Sequence, residues 1–242
     1  VFESTSRRGL EKLETMKNTI ERKLLMPGEG ISASNEVRAI YYDDKNGQVL
    51  IGNKSGRLFI IGEDSLIITH DSKGKSLGRI YGISKDSEGC YWNIWVATYD
   101  GGVNVMLREQ GGKARFLHPQ NKMKDYPQQS HMKVRTLALD KNGKIWAGTT
   151  DGILIMSVKD GKVSIEQLQS ATDHPENMLM SNDIVAIARD RQGDMWVGTN
   201  GGGVAHCTGM DSKGRYMFEN LGSADGLPSE EILSLCFDSK GN

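Results

Sequence analysis

The chain has 242 residues, long enough to bury a sizeable core, and its 30 basic and 31 acidic side chains leave a formal net charge of -1. That balance gives no reason to expect a nucleic-acid face or a surface for anionic membranes, and no apolar run approaches the ~18 residues of a membrane span. Glycine is the outlier, with 29 residues against 5 prolines, which points to many tight turns between short strands and not to a low-complexity tail.

No signal peptide is visible at the start. Val1-Phe2-Glu3-Ser4-Thr5 reads as a strand and not as a natural beginning, so the chain is expected to be an excised or processed piece of something longer. Next, Leu10, Leu13, Ile20 and Leu24 have near-helical spacing, and residues 11–25 read alone could form a helix. The repeat register found downstream makes them two strands instead.

That repeat first shows at Val37-Arg38-Ala39-Ile40, with Asn46-Gly47, Leu50-Ile51-Gly52-Asn53 and Ser55-Gly56. It returns at Ile80-Tyr81-Gly82-Ile83, with Glu88-Gly89, Trp95-Val96-Ala97-Thr98 and Asp100-Gly101-Gly102, carrying three extra residues around Cys90 to Asn93. The clearest pair begins at Val134 and at Ile184. There Asn142-Gly143 and Gln192-Gly193 lead into Ile145-Trp146-Ala147-Gly148-Thr149 and Met195-Trp196-Val197-Gly198-Thr199. A half-copy at Ile232-Leu233-Ser234-Leu235, Asp238 and Gly241 ends the chain, and Phe2, Thr5 and Gly9-Leu10 supply the complementary half. The tryptophan-equivalent positions are 2, 50, 95, 146 and 196, with gaps of 48, 45, 51 and 50, the period of a propeller blade.

Each piece has a physical reading. The Val-x-x-Ile segment alternates as a short strand, and one face carries small residues such as Ala39, Gly82, Thr136, Ala138, Ala186 and Ala188, which suits crowding near a propeller axis. Gly47, Gly89, Gly143 and Gly193 turn the chain, because glycine accepts positive φ. The apolar strand after each turn is expected between neighbouring blades, burying Trp95, Trp146 and Trp196. Asp140, Asp190 and Asp238 recur before the turn glycines, which assigns them to capping the hairpins.

The expected fold class is all-β, a β-propeller of four-stranded antiparallel blades with about five repeat-equivalents. The blades fall at 1–26 together with 231–242, then at 35–70, 78–116, 133–167 and 183–220, all in one domain. The terminal strands 1–5 and 231–238 could share a blade and close a five-bladed ring, or the chain could be an arc of a larger one.

The pattern Val-x-x-Ile-x-x-Asp-x-x-Gly-x-Ile-Trp-Val-Gly-Thr-x-x-Gly-Gly resembles the two-component regulator propeller repeat, and Asp225-Gly226-Leu227-Pro228-Ser229 resembles that family's entry into the next inner strand. The resemblance covers essentially the whole chain, loosest where Leu50 replaces Trp. It implies the periplasmic sensor region of a hybrid histidine kinase, an inner-membrane protein responding to carbohydrate, and it favours an arc of a larger propeller. A second propeller, a β-sandwich domain and a homodimer partner are implied for the parent, and the kinase chemistry would lie outside this chain.

For chemistry of its own the chain offers little. Cys90, Cys207 and Cys236 fit no zinc or redox spacing and are expected as free thiols in the core. Of His70, His118, His131, His174 and His206, only His131 and His174 fall in long inter-blade loops, and no metal-ligand or Ser/His/Asp spacing occurs. No catalytic residue, metal site or cofactor is therefore expected. Ligand contacts are assigned to one propeller face, at Arg38, Arg79 and Arg135 by the inner-strand starts and at Tyr126, His131 and His174 in the loops. The arginines could meet an acidic sugar through bidentate hydrogen bonds. Tyr91 and Trp92 break the repeat and are further candidates. A propeller lyase and a pure scaffold are the alternatives. A lyase would need a polar His and Glu site at one mouth of the channel.

Overall fold

The computed structural model describes residues 2–5, 9–14, 19–23, 25–30, 32–62, 66–68, 74–88, 91–108, 114–127, 130–170, 178–238 and 240–241. Gly89, Cys90, His70 and His174 lie outside the described residues, as do the side chains of residues 1–24 and of Tyr91 and Trp92.

Nineteen strands run in order through the described residues, forming one three-stranded and four four-stranded sheets, each an antiparallel meander. The first holds β1 (Phe2–Thr5), β2 (Gly9–Glu14) and β3 (Thr19–Lys23). The segment with helical spacing is thus two paired strands, with Leu13 opposite Ile20. The second sheet holds β4 (Val37–Asp43), β5 (Gln48–Asn53), β6 (Leu58–Ile61) and β7 (Leu66–Ile68). The third holds β8 (Ile80–Glu88), β9 (Tyr91–Thr98), β10 (Gly102–Arg108) and β11 (Ala114–Leu117). The fourth holds β12 (Val134–Leu139), β13 (Ile145–Thr149), β14 (Gly152–Lys159) and β15 (Lys162–Leu168), and the fifth β16 (Ile184–Arg189), β17 (Met195–Thr199), β18 (Val204–Met210) and β19 (Tyr216–Leu221). The extra residues near Cys90 lengthen the β8–β9 hairpin by two ladder pairs, Ser87 with Trp92 and Glu88 with Tyr91.

The innermost strands β4, β8, β12 and β16 pack side by side, and the hydrophobic clusters fill the gaps between successive sheets. This is the blade packing of a β-propeller. The glycine before the last residue of β5, β13 and β17, followed by Asn53, Thr149 or Thr199, is what lets the next blade close in. A Cβ on Gly52 would lie 2.2 Å from Ile80 Cγ2, one on Gly148 2.7 Å from Ile184 Cγ2, and one on Gly198 2.6 Å from Ile232 Cγ2. Past the threonine, a turn glycine reaches across to the residues ahead of the following blade. Gly102, Gly152 and Gly203 donate their N–H to the carbonyls of Met132, Asn182 and Glu230 at 3.0, 2.6 and 3.0 Å.

The recurring aspartate does cap its hairpin, and it also ties the tryptophan. Asp140 Oδ1 accepts the N–H groups of Asn142 and Lys144, while Oδ2 accepts the Trp146 indole N–H at 3.2 Å. Asp86 and Asp190 hold Trp95 and Trp196 in the same way, at 2.6 and 2.9 Å. Where Leu50 replaces tryptophan, the vacated acceptor on Asp43 takes Lys85 from the next blade and Asn46 from its own turn.

Three expectations are corrected. Trp95 and Trp146 are 0% and 1% exposed, but Trp196 is only half-buried. Its outer side meets Phe237 edge-on at 5.8 Å where the earlier tryptophans face a full sheet. The reason is the second correction. Residues 231–238 form no ladder strand; Glu231 makes one isolated bridge to Asn200, and Ile232 N–H bonds Thr199 O at 2.9 Å. The segment has docked on β17, but β1 pairs with β2 alone among the described residues, so no second strand zips it up. Cys207 is buried and free as expected; Cys236 is free but exposed, because it lies on that unladdered segment.

Candidate functional site

Each inner strand carries a register break at the same place, between Val37 and Ala39, Ile80 and Gly82, Val134 and Thr136, and Ile184 and Ala186. A β-bulge leaves one residue out of the ladder and re-aims its side chain. The four residues so released are Arg38, Tyr81, Arg135 and Val185, all at the end where the inner strands begin. Arg38 and Arg135 are therefore equivalent positions. Arg79 is not; it stands one residue ahead of its strand, like Glu36, Lys133 and Asp183.

The structure brings Arg38 and Arg79 together through two tyrosines. The Tyr81 and Tyr99 rings lie 5.2 Å apart, tilted by 34°. Arg38 sits over Tyr81 at 5.2 Å, and Arg79 and Lys133 over Tyr99 at 5.7 and 5.9 Å. Cation–π attraction of this kind orients long basic side chains while leaving their donors available. Carboxylates hold the cations from behind. Glu36 bridges Arg38 and Lys54, Asp100 takes Arg79 Nε at 3.2 Å, and Arg135 reaches Asp183 of the next blade at 2.6 Å. Burial alone would raise the Glu36 carboxyl, but the Lys54 hydrogen bond and the Arg38 and Lys54 charges outweigh it and hold it below the ordinary carboxylate range. The basic side chains of Arg38, Lys54, Arg79, Lys133 and Arg135 outnumber the carboxylates of Glu36, Asp100 and Asp183, beside half-exposed aromatic faces. The arrangement sets guanidinium donors beside tyrosine rings, chemistry suited to an anionic, partly apolar ligand.

The loop candidates serve a different end. Tyr126 is 3% and His131 1% exposed. The Tyr126 hydroxyl donates to His131 O at 2.7 Å and accepts the Val103 N–H at 3.2 Å, and burial raises its pKa far above the ordinary range. The His131 imidazole contacts Ser130 Oγ at 2.7 Å, and burial lowers its pKa against the opposing pull of Asp151. These residues pin segments 118–127 and 130–132 beneath the turn at Gly102. His174 lies outside the described residues. Tyr81 and Tyr99 were missed from sequence; the signal available was that Tyr81 occupies the Arg38 position of its repeat.

Residues 128–151 and 178–201 match the family model described as two component regulator propeller. Those two segments, about a fifth of the chain, match the two-component regulator propeller repeat. The two matched segments contain the inner strands, turn aspartates and tryptophans of the fourth and fifth sheets, including the bulge at Arg135. No curated protein sequence matches the chain.

Solved structures resemble the chain in fold. PorZ, a surface component of the type-IX secretion system of Porphyromonas gingivalis, superimposes with a TM-score of 0.66 at 14% identity over 98% of this chain and 34% of its own. Virginiamycin B lyase from Staphylococcus aureus gives 0.61 at 14% identity over 92% of this chain and 66% of its own. An extracellular domain assigned to a hybrid two component system of B. thetaiotaomicron gives 0.48 at 18% identity over 98% of this chain and 37% of its own. The chain thus spans a third to two thirds of the length of these proteins, and its likeness to the first two is one of fold.

Proposed function

We propose that this chain is an extracytoplasmic recognition propeller of a two-component signalling protein, and that it binds an acidic oligosaccharide at the bulge-residue mouth. The observation that carries this is the Tyr81–Tyr99 pair ringed by Arg38, Arg79 and Lys133, with Arg135 one blade further on. Sugar C–H faces pack on tyrosine rings, while guanidinium groups give bidentate hydrogen bonds to carboxylate or sulfate groups. The regulator repeats support a signalling parent, in which a downstream histidine kinase reads the bound state. A second propeller, a β-sandwich domain and a homodimer partner belong to the same reading. A lyase-type enzyme is the alternative reading; the three arginines of the mouth are ion-paired with Glu36, Asp100 and Asp183.

The test is calorimetric titration with neutral and acidic oligosaccharides of equal length. Preference for the acidic series is expected, weakened by salt, with at least a tenfold loss in Tyr99→Ala and in Arg38→Ala/Arg79→Ala. Acidic glycan binding that survives all these changes would overturn the assignment of the mouth. In the intact parent, deletion of the segment should abolish the transcriptional response to the same glycan; a response that persists would overturn the sensing role itself.

A further inference from the structure

At the opposite end of the inner strands, the fifth sheet departs from its own repeat at two positions. His206 stands opposite Trp196 in the ladder, where the preceding sheets place Ile155, Val105 and Ile60 opposite Trp146, Trp95 and Leu50. Asp194 follows the turn glycine, where the fourth sheet has Lys144. An apolar core residue has become an imidazole and a lysine a carboxylate, and the two face each other. From this geometry we infer that Asp190, Asp194 and His206 bind a divalent first-row transition cation of the zinc class.

One ligand atom from each of the three lies within 4.8 Å of the others. His206 Nε2 is shielded from solvent and has no hydrogen-bond partner among the described residues. It sits 3.8 Å from Asp194 Oδ2, too far for a hydrogen bond. Two ligands each ~2.1 Å from a tetrahedral zinc stand ~3.4 Å apart, so a closure of a few tenths of an ångström would seat an ion between them.

The ligands are also held in place. The Trp196 ring stacks on His206 at 4.1 Å and 13°, and its indole N–H fixes Asp190 Oδ2 at 2.9 Å. Asp190 Oδ1 accepts the Asp194 N–H at 2.9 Å. On the far side of the imidazole, Glu219 Oε2 lies 4.0 Å from Nδ1, the place of the outer carboxylate that orients metal-bound histidines. Lys141 occupies Asp194 Oδ1 at 3.1 Å and leaves Oδ2 turned towards the histidine. Of the three, Asp194 alone borders the cleft of about 170 Å³ that Asp140, Lys141, Cys207 and Tyr216 also line. One imidazole nitrogen and two carboxylate oxygens suit zinc better than magnesium or calcium, which prefer all-oxygen shells. Three protein ligands leave a fourth position for water or a partner's side chain.

The experiment is titration of the metal-stripped chain with zinc chloride by calorimetry, with cobalt(II) absorbance reporting the coordination geometry. One zinc per chain is expected, with a tetrahedral cobalt spectrum. His206→Ile installs the residue the fourth sheet uses at this position; Asp194→Asn tests the same site from the solvent side. Each should weaken zinc binding at least 100-fold, Glu219→Gln should weaken it about 10–100-fold, and Lys141→Met should tighten it. Absence of zinc binding by the unmodified chain, or unchanged affinity in both His206→Ile and Asp194→Asn, would overturn the inference.

Discussion

The aspartate–tryptophan tie makes different demands in different blades, and Asp140→Ala exposes this. In the fourth sheet the substitution strands the Trp146 indole N–H in a core where that side chain is 1% exposed, at a cost of about 1–3 kcal/mol. It also frees the Asn142 and Lys144 N–H groups, which lie at a solvent-facing turn and cost about 0.5–1 kcal/mol each. The expected loss is about 2–5 kcal/mol. Asp190→Ala breaks the matching bond to Trp196, but that indole is half-buried and water can replace the lost partner, so the loss should be smaller by about 1–2 kcal/mol. For a chain of this length, 1 kcal/mol moves the melting midpoint by roughly 2–4 °C, which separates the two variants by several degrees. Urea unfolding followed by tryptophan fluorescence, alongside thermal melts, gives both numbers. A cycle of Asp140→Ala with Trp146→Phe should show a coupling of about 1 kcal/mol or more. Equal losses for Asp140→Ala and Asp190→Ala, or a coupling under about 0.5 kcal/mol, would refute the reasoning.

Lys85→Met should be severe, at about 3–5 kcal/mol, because it leaves the Asp43 carboxylate 3% exposed without its cation. Adding Asp43→Asn should recover most of that loss in urea unfolding; no recovery would assign the cost to packing instead. His131 is a source of acid sensitivity. Its folded-state pKa is lowered, so protonation favours the unfolded chain, and stability should fall as pH drops from the ordinary histidine range through the depressed value. His131→Gln should flatten melting temperature against pH in that window, and an unchanged slope would place the sensitivity elsewhere.

The sequence by itself determined the blade. A period near 48, turn glycines and an apolar strand after each turn specify hairpins, and hairpins in register with their neighbours specify sheets. Residues 11–25 illustrate this, since local helical spacing lost to the repeat and the structure shows two strands. The aspartate's capping role was readable, because capping is local; its bond to tryptophan six residues on was not, because that depends on strand pairing bringing the indole back over the turn.

Only the tertiary structure decided which side chains meet. Tyr99 joins Tyr81 because the β9–β10 turn returns to the start of β8, and the bulge that frees Tyr81 leaves no composition signal. His206 and Asp194 show the same limit, since no motif spacing links them and the ladder pair Trp196–His206 does. Trp196 differs from Trp146 in burial although their sequence contexts nearly coincide. Burial there depends on what packs against the outer side of the sheet, which is a full blade for one and the unladdered 231–238 segment for the other. Repetition in sequence specifies each blade's internal hydrogen bonds; the environment of a blade is a property of its neighbours.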